Sequence, residues 1–162
     1  MIVIICGVSG SGKTTIGRML SAALRIPFFD ADDFHPPENI EKMASGQALD
    51  DKDRQPWLEL LADRLRAWQD EGGAVLACSA LKESYRATLR QRCTDDIHWV
   101  FLVAPEAVLA DRLAARRDHF FDRSLLGSQL QALEVPDYGW QIDCDASPQD
   151  VVNTILERLT GG

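Results

Sequence analysis

The sequence predicts one α/β domain over residues 1–162, with a five-stranded parallel sheet that carries helices on both faces. Three observations predict it. Five short apolar runs recur along the chain. Helical patterns fall between them, and a glycine-rich turn stands where the first run meets the first helix. The size agrees: 162 residues with 46% hydrophobic and 26% charged side chains can bury a real core.

Each element can be justified in order. The runs are 2–6 "IVIIC", 26–29 "IPFF", 74–78 "AVLAC", 98–103 "HWVFLV" and 139–143 "GWQID". The first, third and fourth are apolar almost throughout, as strands covered on both faces must be. The second and fifth are weaker, which fits shorter strands or places nearer a sheet edge. Between them, Ile16, Leu20, Ala23 and Leu24 recur at helical spacing over 13–24. Trp57, Leu61, Leu65 and Trp68 do so over 55–70. Residues 36–44 read as a further helix opened by Pro36–Pro37, with Asp33 a candidate cap. The last helix is announced by "SPQDVVNTILERL", with Ser147 as N-cap, Pro148 at the first helical position and Asp150 three residues past the cap. Residues 116–124, "RRDHFFDRS", carry no clear period and read as a mobile connection. In such a sheet, ligands bind beyond the carboxyl ends of the strands.

Charge and cysteine usage narrow the classes of function. A formal net charge of −8 is the wrong sign for sequence-independent nucleic-acid binding and for attraction to an anionic membrane surface. An anionic ligand must then be met by a local basic site. Cys6, Cys78, Cys93 and Cys144 form no CxxC pair and have no histidine at zinc spacing. Cys6 and Cys78 end apolar runs and read as buried free thiols, which points to a reducing compartment. The opening "MIVIICG" has no basic segment and too short an apolar stretch for a secretion signal, and no run reaches membrane-spanning length. The expected location is the cytoplasm.

The strongest chemical signal is "GVSGSGKT", Gly7 to Thr14, which fits G-x-x-x-x-G-K-[ST] between a predicted strand and a predicted helix. The glycines allow close backbone approach, and successive N–H groups hold phosphate oxygens at the helix N-terminus. Gly7, Val8, Ser9, Gly10, Ser11, Gly12, Lys13, Thr14 and Thr15 are therefore the expected nucleotide-binding set. Lys13 reaches the terminal phosphates and the Thr14 hydroxyl faces Mg²⁺. No N-K-x-D guanine motif occurs. The third and fourth strands run into Ser79 and Ala104, so carboxylates for a metal must come from elsewhere.

They are expected from "FFDADDFHPP", residues 28–37. Asp30 and Asp32 would sit at the tip of the second strand, on the ligand side. Mg²⁺ is often held through carboxylates and their waters, and phosphoryl transfer to an alcohol needs a carboxylate for the hydroxyl. Asp30 is assigned to the metal's water shell and Asp32 to the acceptor hydroxyl. The plainer alternative is an acidic cap for the next helix.

The phosphate motif plus "DADDFHP" resembles the gluconate kinase (gluconokinase) family of P-loop small-molecule kinases. "LDDKDRQPWL" at 49–58, "ACSALKESYR" at 77–86, "RRDHFF" at 116–121 and "LLGSQLQALEVP" at 125–136 agree with it. The resemblance implies a P-loop kinase fold like that of shikimate and nucleoside monophosphate kinases, with a small lid over about 112–124. It implies transfer of the ATP γ-phosphoryl group to the 6-hydroxyl of D-gluconate with Mg²⁺, and a homodimer. By resemblance, His35, Arg54, Ser79, Lys82 and Arg86 join Asp32 in the sugar-acid pocket. Taken alone, Arg54 could be a surface ion pair with Asp51, His35 a turn residue, and Lys82, Arg86 and Arg90 a solvated basic stripe. Arg112 and Arg116 lie four apart on one helix face. In related kinases such a pair leads into the lid, so Arg112 is assigned to adenine and Arg116 to phosphate, with Arg117 a third candidate and a solvated helix end the plain alternative. Asp118 and Arg123 depart from the family pattern, where glycine and proline are common. The rivals are a kinase of this fold acting on another small acid such as shikimate, and a non-catalytic nucleotide-binding switch.

Overall fold

A computed structural model of the protein describes residues 1–115 and 123–161, with the side chains of 123–125 left aside. The strands are β1 (Ile2–Cys6), β2 (Phe28–Asp30), β3 (Ala74–Ala77), β4 (Ile97–Val103) and β5 (Trp140–Asp143). They form one sheet in the order β2-β3-β1-β4-β5, and every pairing is parallel. The two weak runs are indeed the edge strands. The helices are α1 (Lys13–Leu24), α2 (Pro37–Ala44), α3 (Asp51–Asp70), α4 (Glu83–Arg90), α5 (Glu106–Ala115), α6 (Arg123–Ala132) and α7 (Pro148–Leu159), with a short 3-10 turn over Ala31–Phe34.

Strand alternation divides the core into two layers. Ile2, Ile4 and Cys6 of β1 face α3 and α4, packing with Leu58, Leu61, Leu65 and Leu89. Val3 and Ile5 point the other way, onto Ile16, Leu20, Leu109 and Ile155 of α1, α5 and α7. Burying each such side chain contributes about 1.5–3 kcal/mol. The central strand is thereby fixed from both sides, and its carboxyl end, where the phosphate motif begins, is held in one place.

Local signals fare unevenly. Ser147 caps α7, its Oγ accepting from the Asp150 N–H at 3.2 Å. Asp33 does not cap α2, whose cap position is Pro36 with no side-chain bond. Instead Asp30 caps the 3-10 turn, accepting from the Asp32 N–H at 3.0 Å. α3 starts at Asp51, four residues before the periodic pattern at 55. A capping box explains this, with Asp50 accepting from the Asp53 N–H at 2.8 Å and Asp53 accepting from the Asp50 N–H at 2.9 Å. α5 runs to Ala115 and α6 begins at Arg123, so residues 112–115 of the anticipated lid and residues 123 and 124 of the expected mobile connection are helical. Residues 116–122 lie outside the described residues, and α6 follows at Arg123. Among the described residues, no helix is long and apolar enough to cross a membrane.

Candidate active site

The phosphate loop connects β1 to α1. Gly12 holds φ 92° as the residue before the helix, and Gly10 holds φ 86° where a Cβ would come within 3.0 Å of the Leu109 carbonyl. Both positions favour glycine, one for its conformation and the other for its conformation and its neighbours. Ser11 Oγ donates to the Val8 carbonyl at 2.7 Å, bracing the loop from within. Lys13 Nζ donates to the carbonyls of Gly7 (2.9 Å) and Val8 (3.1 Å). Burial lowers the Lys13 ammonium's pKa, while Asp32, then the cysteines and Asp30, work against that.

Opposite this loop stand the tips of β2 and β3. Lys13, Thr14, Asp30, Asp32, Ser79 and Gln129 line one cavity of about 190 Å³. The Thr14 hydroxyl donates to Asp30 Oδ2 at 3.3 Å. Asp32 is raised from the usual carboxylate range, first by partial exclusion of water, then by Asp30, with Lys13 opposing and Asp33 adding. Its side chain keeps 85% of its surface open, so solvent tempers these effects. Cys78 lines the same cavity, but burial pushes its thiol up to about 12, which keeps it protonated and a poor nucleophile. All four cysteines are free.

The donor set suits Mg²⁺. Hard oxygens from Thr14 and Asp30 lie together beside the phosphate loop, and among the described residues no group of three or more His, Cys, Asp or Glu side chains is arranged around an ion. Mg²⁺ commonly binds through one or two carboxylates, substrate phosphates and water.

A second cleft, of about 320 Å³, lies on the other side of the loop. Gly12, Thr15, Arg112, Cys144, Ala146 and Pro148 line it. Arg112 reaches both walls, donating to the Cys144 carbonyl and, at 3.5 Å, to the Gly10 carbonyl. Arg112, the residue predicted for adenine, and the loop between β5 and α7 therefore meet beside the phosphate cradle. Arg116, with Arg117, Asp118, His119, Phe120 and Phe121, lies outside the described residues. A larger open groove of about 570 Å³ runs along the amino ends of β4 and β5. It contains neither the phosphate loop nor the carboxylates, so volume alone does not mark the site.

The residues expected on the acceptor side come from several elements. Arg54, on the first turn of α3, donates to the Tyr85 hydroxyl at 3.2 Å and lies over its ring. The Tyr85 hydroxyl donates to Asp51 at 2.5 Å, and Lys82 donates to the same carboxylate at 3.3 Å. Tyr85, then Lys82, hold Asp51 below the usual carboxylate range. The ion pair of Arg54 with Asp51 considered from sequence is present at 4.0 Å, and Lys82 pairs with the same carboxylate more closely, at 3.3 Å. Arg54 and Lys82 are each about one-third exposed and face a common carboxylate, an arrangement that can take a carboxylate ligand.

Arg86 requires a correction. It is 1% exposed, and its guanidinium is occupied by the carbonyls of Ala80 and Glu134 (2.6 Å each), Glu83 and the Tyr138 hydroxyl (3.1 Å each). A buried cation this fully bonded supports the loop instead of meeting a ligand. Ala80, which it holds, has φ 44°, a left-handed conformation costly for a residue with a Cβ. That turn carries Ser79 into the cavity. Arg90 bonds Glu83 and Tyr138, as a surface role requires. His35 is also enclosed: its side chain is 5% exposed, stacked on Trp57 at 4.3 Å, and its Nε2 lies 3.8 Å from Asp32. Burial, then Arg54, lowers its pKa, favouring the neutral ring.

Sequence reasoning missed Gln129, Asp51, Tyr85 and Asn39. Gln129 accepts from the Ser9 N–H at 2.7 Å and donates to the Ser9 hydroxyl at 3.0 Å, tying α6 to the phosphate loop. It stands 120 residues away, so no local pattern could reveal the pairing. Asp51 entered only as a possible ion-pair partner of Arg54, and Tyr85 lay unweighed within "SALKESYR".

Similarity to known proteins agrees with this architecture. The family model described as shikimate kinase (SKI) matches residues 9–159. A curated gluconokinase of Gluconobacter oxydans (strain 621H) is 51% identical over 136 residues, covering 82% of this chain and 75% of that protein. The crystal structure of a gluconokinase from Sinorhizobium meliloti 1021 superposes with a TM-score of 0.87 at 40% identity, covering 97% of this chain and 91% of that one. The shikimate kinase of Aquifex aeolicus VF5 shares the fold, with a TM-score of 0.63 at 22% identity and coverage of 99% and 97%. A nucleotide cradle facing paired carboxylates, set in this sheet and supported by these similarities, makes the chain a member of the gluconokinase family within the shikimate kinase group of P-loop kinases.

Proposed function

We propose that the protein is an ATP-dependent gluconate kinase, transferring the γ-phosphoryl group of ATP to the 6-hydroxyl of D-gluconate to give 6-phospho-D-gluconate and ADP. One observation carries this reading: Asp30 and Asp32 share a single cavity with Lys13 and Thr14. A nucleotide switch would not need a carboxylate such as Asp32 placed for an incoming hydroxyl. The names of the family relatives supply the acceptor.

In this mechanism the phosphate loop, from Gly7 to Thr15, receives the triphosphate through backbone N–H groups and the helix N-terminus. Lys13 turns from its loop carbonyls to the β- and γ-phosphates, placing positive charge where negative charge develops. Thr14 and, through water, Asp30 would hold Mg²⁺, which when bound supplies charge neutralisation on the phosphates. Arg54, Lys82 and Ser79 orient the sugar acid, with Arg54 and Lys82 taking its carboxylate in place of Asp51, while His35, enclosed beside Asp32, serves the acceptor side from behind that carboxylate instead of bonding the polyol itself. Asp32 receives the hydroxyl proton as the hydroxyl oxygen bonds to the γ-phosphorus and the bond from that phosphorus to the β–γ bridging oxygen breaks. A carboxyl raised above its ordinary range is the better proton acceptor. Arg112 packs against adenine, and Arg116 is assigned to the phosphates. The free cysteines are consistent with a cytoplasmic enzyme, and the family resemblance supports a homodimer. The cation pair also suits other small acids, and the family model's description makes a shikimate-like acceptor the second reading.

Asp32→Asn tests the role that carries the proposal. We predict that ATP affinity stays within about threefold while kcat falls by about 10²–10⁴-fold, the usual contribution of a positioned base. A near-wild-type kcat would remove Asp32 from the chemistry.

A further inference from the structure

Asp32 is exposed, and an aspartate free to turn about its side-chain bonds makes a poorly aimed base. The described residues facing it include one buried ring, that of His35, whose Nε2 lies 3.8 Å from Asp32 Oδ1. Whether that nitrogen carries a proton decides whether it attracts or repels the carboxylate. The answer is fixed further inside the protein. Asn39 is 3% exposed, and its side-chain nitrogen donates to the Asp53 carbonyl at 2.9 Å and to His35 Nδ1 at 3.2 Å. The Asp53 carbonyl can only accept, so it orients the amide with its NH₂ toward both partners. An amide NH₂ can only donate, so His35 Nδ1 must present its lone pair. The neutral ring then carries its proton on Nε2, toward Asp32.

We propose that Asn39 is a positioning residue for phosphoryl transfer: it locks His35 in the Nε2–H tautomer, and that N–H aims the Asp32 carboxylate at the acceptor hydroxyl. The 3.8 Å separation is too long for a bond as it stands, so the exposed Asp32 side chain must rotate toward the ring to make it. Trp57 keeps the ring in plane by stacking on it, and Trp57 is itself pinned by donating its indole N–H to the Ala31 carbonyl at 2.7 Å. The chain of contacts thus runs from the first turn of α3, through α2, to the tip of β2. The inference rests on Asp32 being the base, but the tautomer is measurable without any turnover.

Nitrogen-15 NMR of the histidine side chains reads it directly. In the full-length wild-type protein at neutral pH, His35 should show an unprotonated Nδ1 and a protonated Nε2. A protonated Nδ1 with a bare Nε2 overturns the proposal. Asn39→Asp replaces the donor with an acceptor, should move the proton to Nδ1, and should lower kcat about 10²-fold with KM for ATP changed less than threefold. A tautomer switch with kcat unchanged refutes the positioning role. Should that variant fold poorly, His35→Gln and His35→Asn both lose the ring, but Gln extends an N–H toward the Nε2 position while Asn places one nearer Nδ1. His35→Gln should retain at least tenfold more kcat per folded enzyme than His35→Asn, and equal losses count against the proposal. If wild-type enzyme fails to phosphorylate gluconate while His35 still shows the Nε2–H form, the assigned acceptor is wrong and the tautomer lock stands.

Discussion

The two sides of the proposed transfer cavity are built on different principles. The phosphate side comes mainly from backbone: successive N–H groups of one loop, a helix terminus, and one lysine rising from it. The proposed acceptor side comes mainly from side chains, with Asp32 after β2, His35 before α2, Arg54 on α3, and Ser79 and Lys82 after β3. A backbone site is written in consecutive residues, because the chain must carry glycines where the loop turns and approaches its neighbours. A side-chain site is scattered, and each member depends on elements packed far from it. The phosphate side should therefore fail abruptly when its charge is removed. The acceptor side should fail by degrees and selectively for one substrate.

The largest effect expected from this contrast is at Lys13. Lys13→Ala removes the cation from the β- and γ-phosphates, and kcat/KM for ATP should fall by about 10³-fold or more, comparable to the loss of a strong electrostatic donor in other enzymes. Unchanged steady-state kinetics would break the phosphate half of the contrast. Next is Arg54→Ala, which should raise KM for the sugar acid by about 10–10²-fold, the worth of a charge-assisted hydrogen bond. KM for ATP should stay nearly constant, and equal effects on both substrates would move Arg54 out of the acceptor site. The smallest is Gln129→Ala. Losing its two bonds to Ser9 should lower kcat/KM for ATP by about tenfold. That result would sharpen the comparison by showing that even the backbone-built side leans on one distant side chain, whereas no change would confine the cradle to its own loop.

The legibility of the sequence follows the same division. The sheet was readable because strands covered on both faces must be apolar throughout, and the edge strands β2 and β5 were weaker for the complementary reason. The loop from Gly7 to Thr14 was readable because its chemistry is contiguous. Asp30 and Asp32 were readable once a strand was placed before them. Arg86 misled because its spacing from Lys82 and Arg90 suggested a shared helix face. In the fold, Lys82 is the residue before α4, and the next turn carries Arg86 inward to hold the strained Ala80 turn. The early start of α3 was hidden because Asp50 and Asp53 look like solvated acids until their reciprocal bonds are seen. Gln129 lay unweighed within "LLGSQLQALEVP" and Asn39 stood out by no pattern, since the partners of each are fixed only by the tertiary fold.

The central claim is that the cavity between Lys13 and Asp32 passes phosphate from ATP to a sugar acid. An acceptor panel monitored by ADP release tests it most directly, with D-gluconate, other sugar acids, shikimate and nucleoside monophosphates offered to the wild-type enzyme with Mg²⁺. Gluconate should stand alone in stimulating ADP release well above the ATP-only rate, with 6-phosphogluconate formed in equal amount. Preference for shikimate or a nucleotide, or ADP release indifferent to every acceptor, would contradict the account.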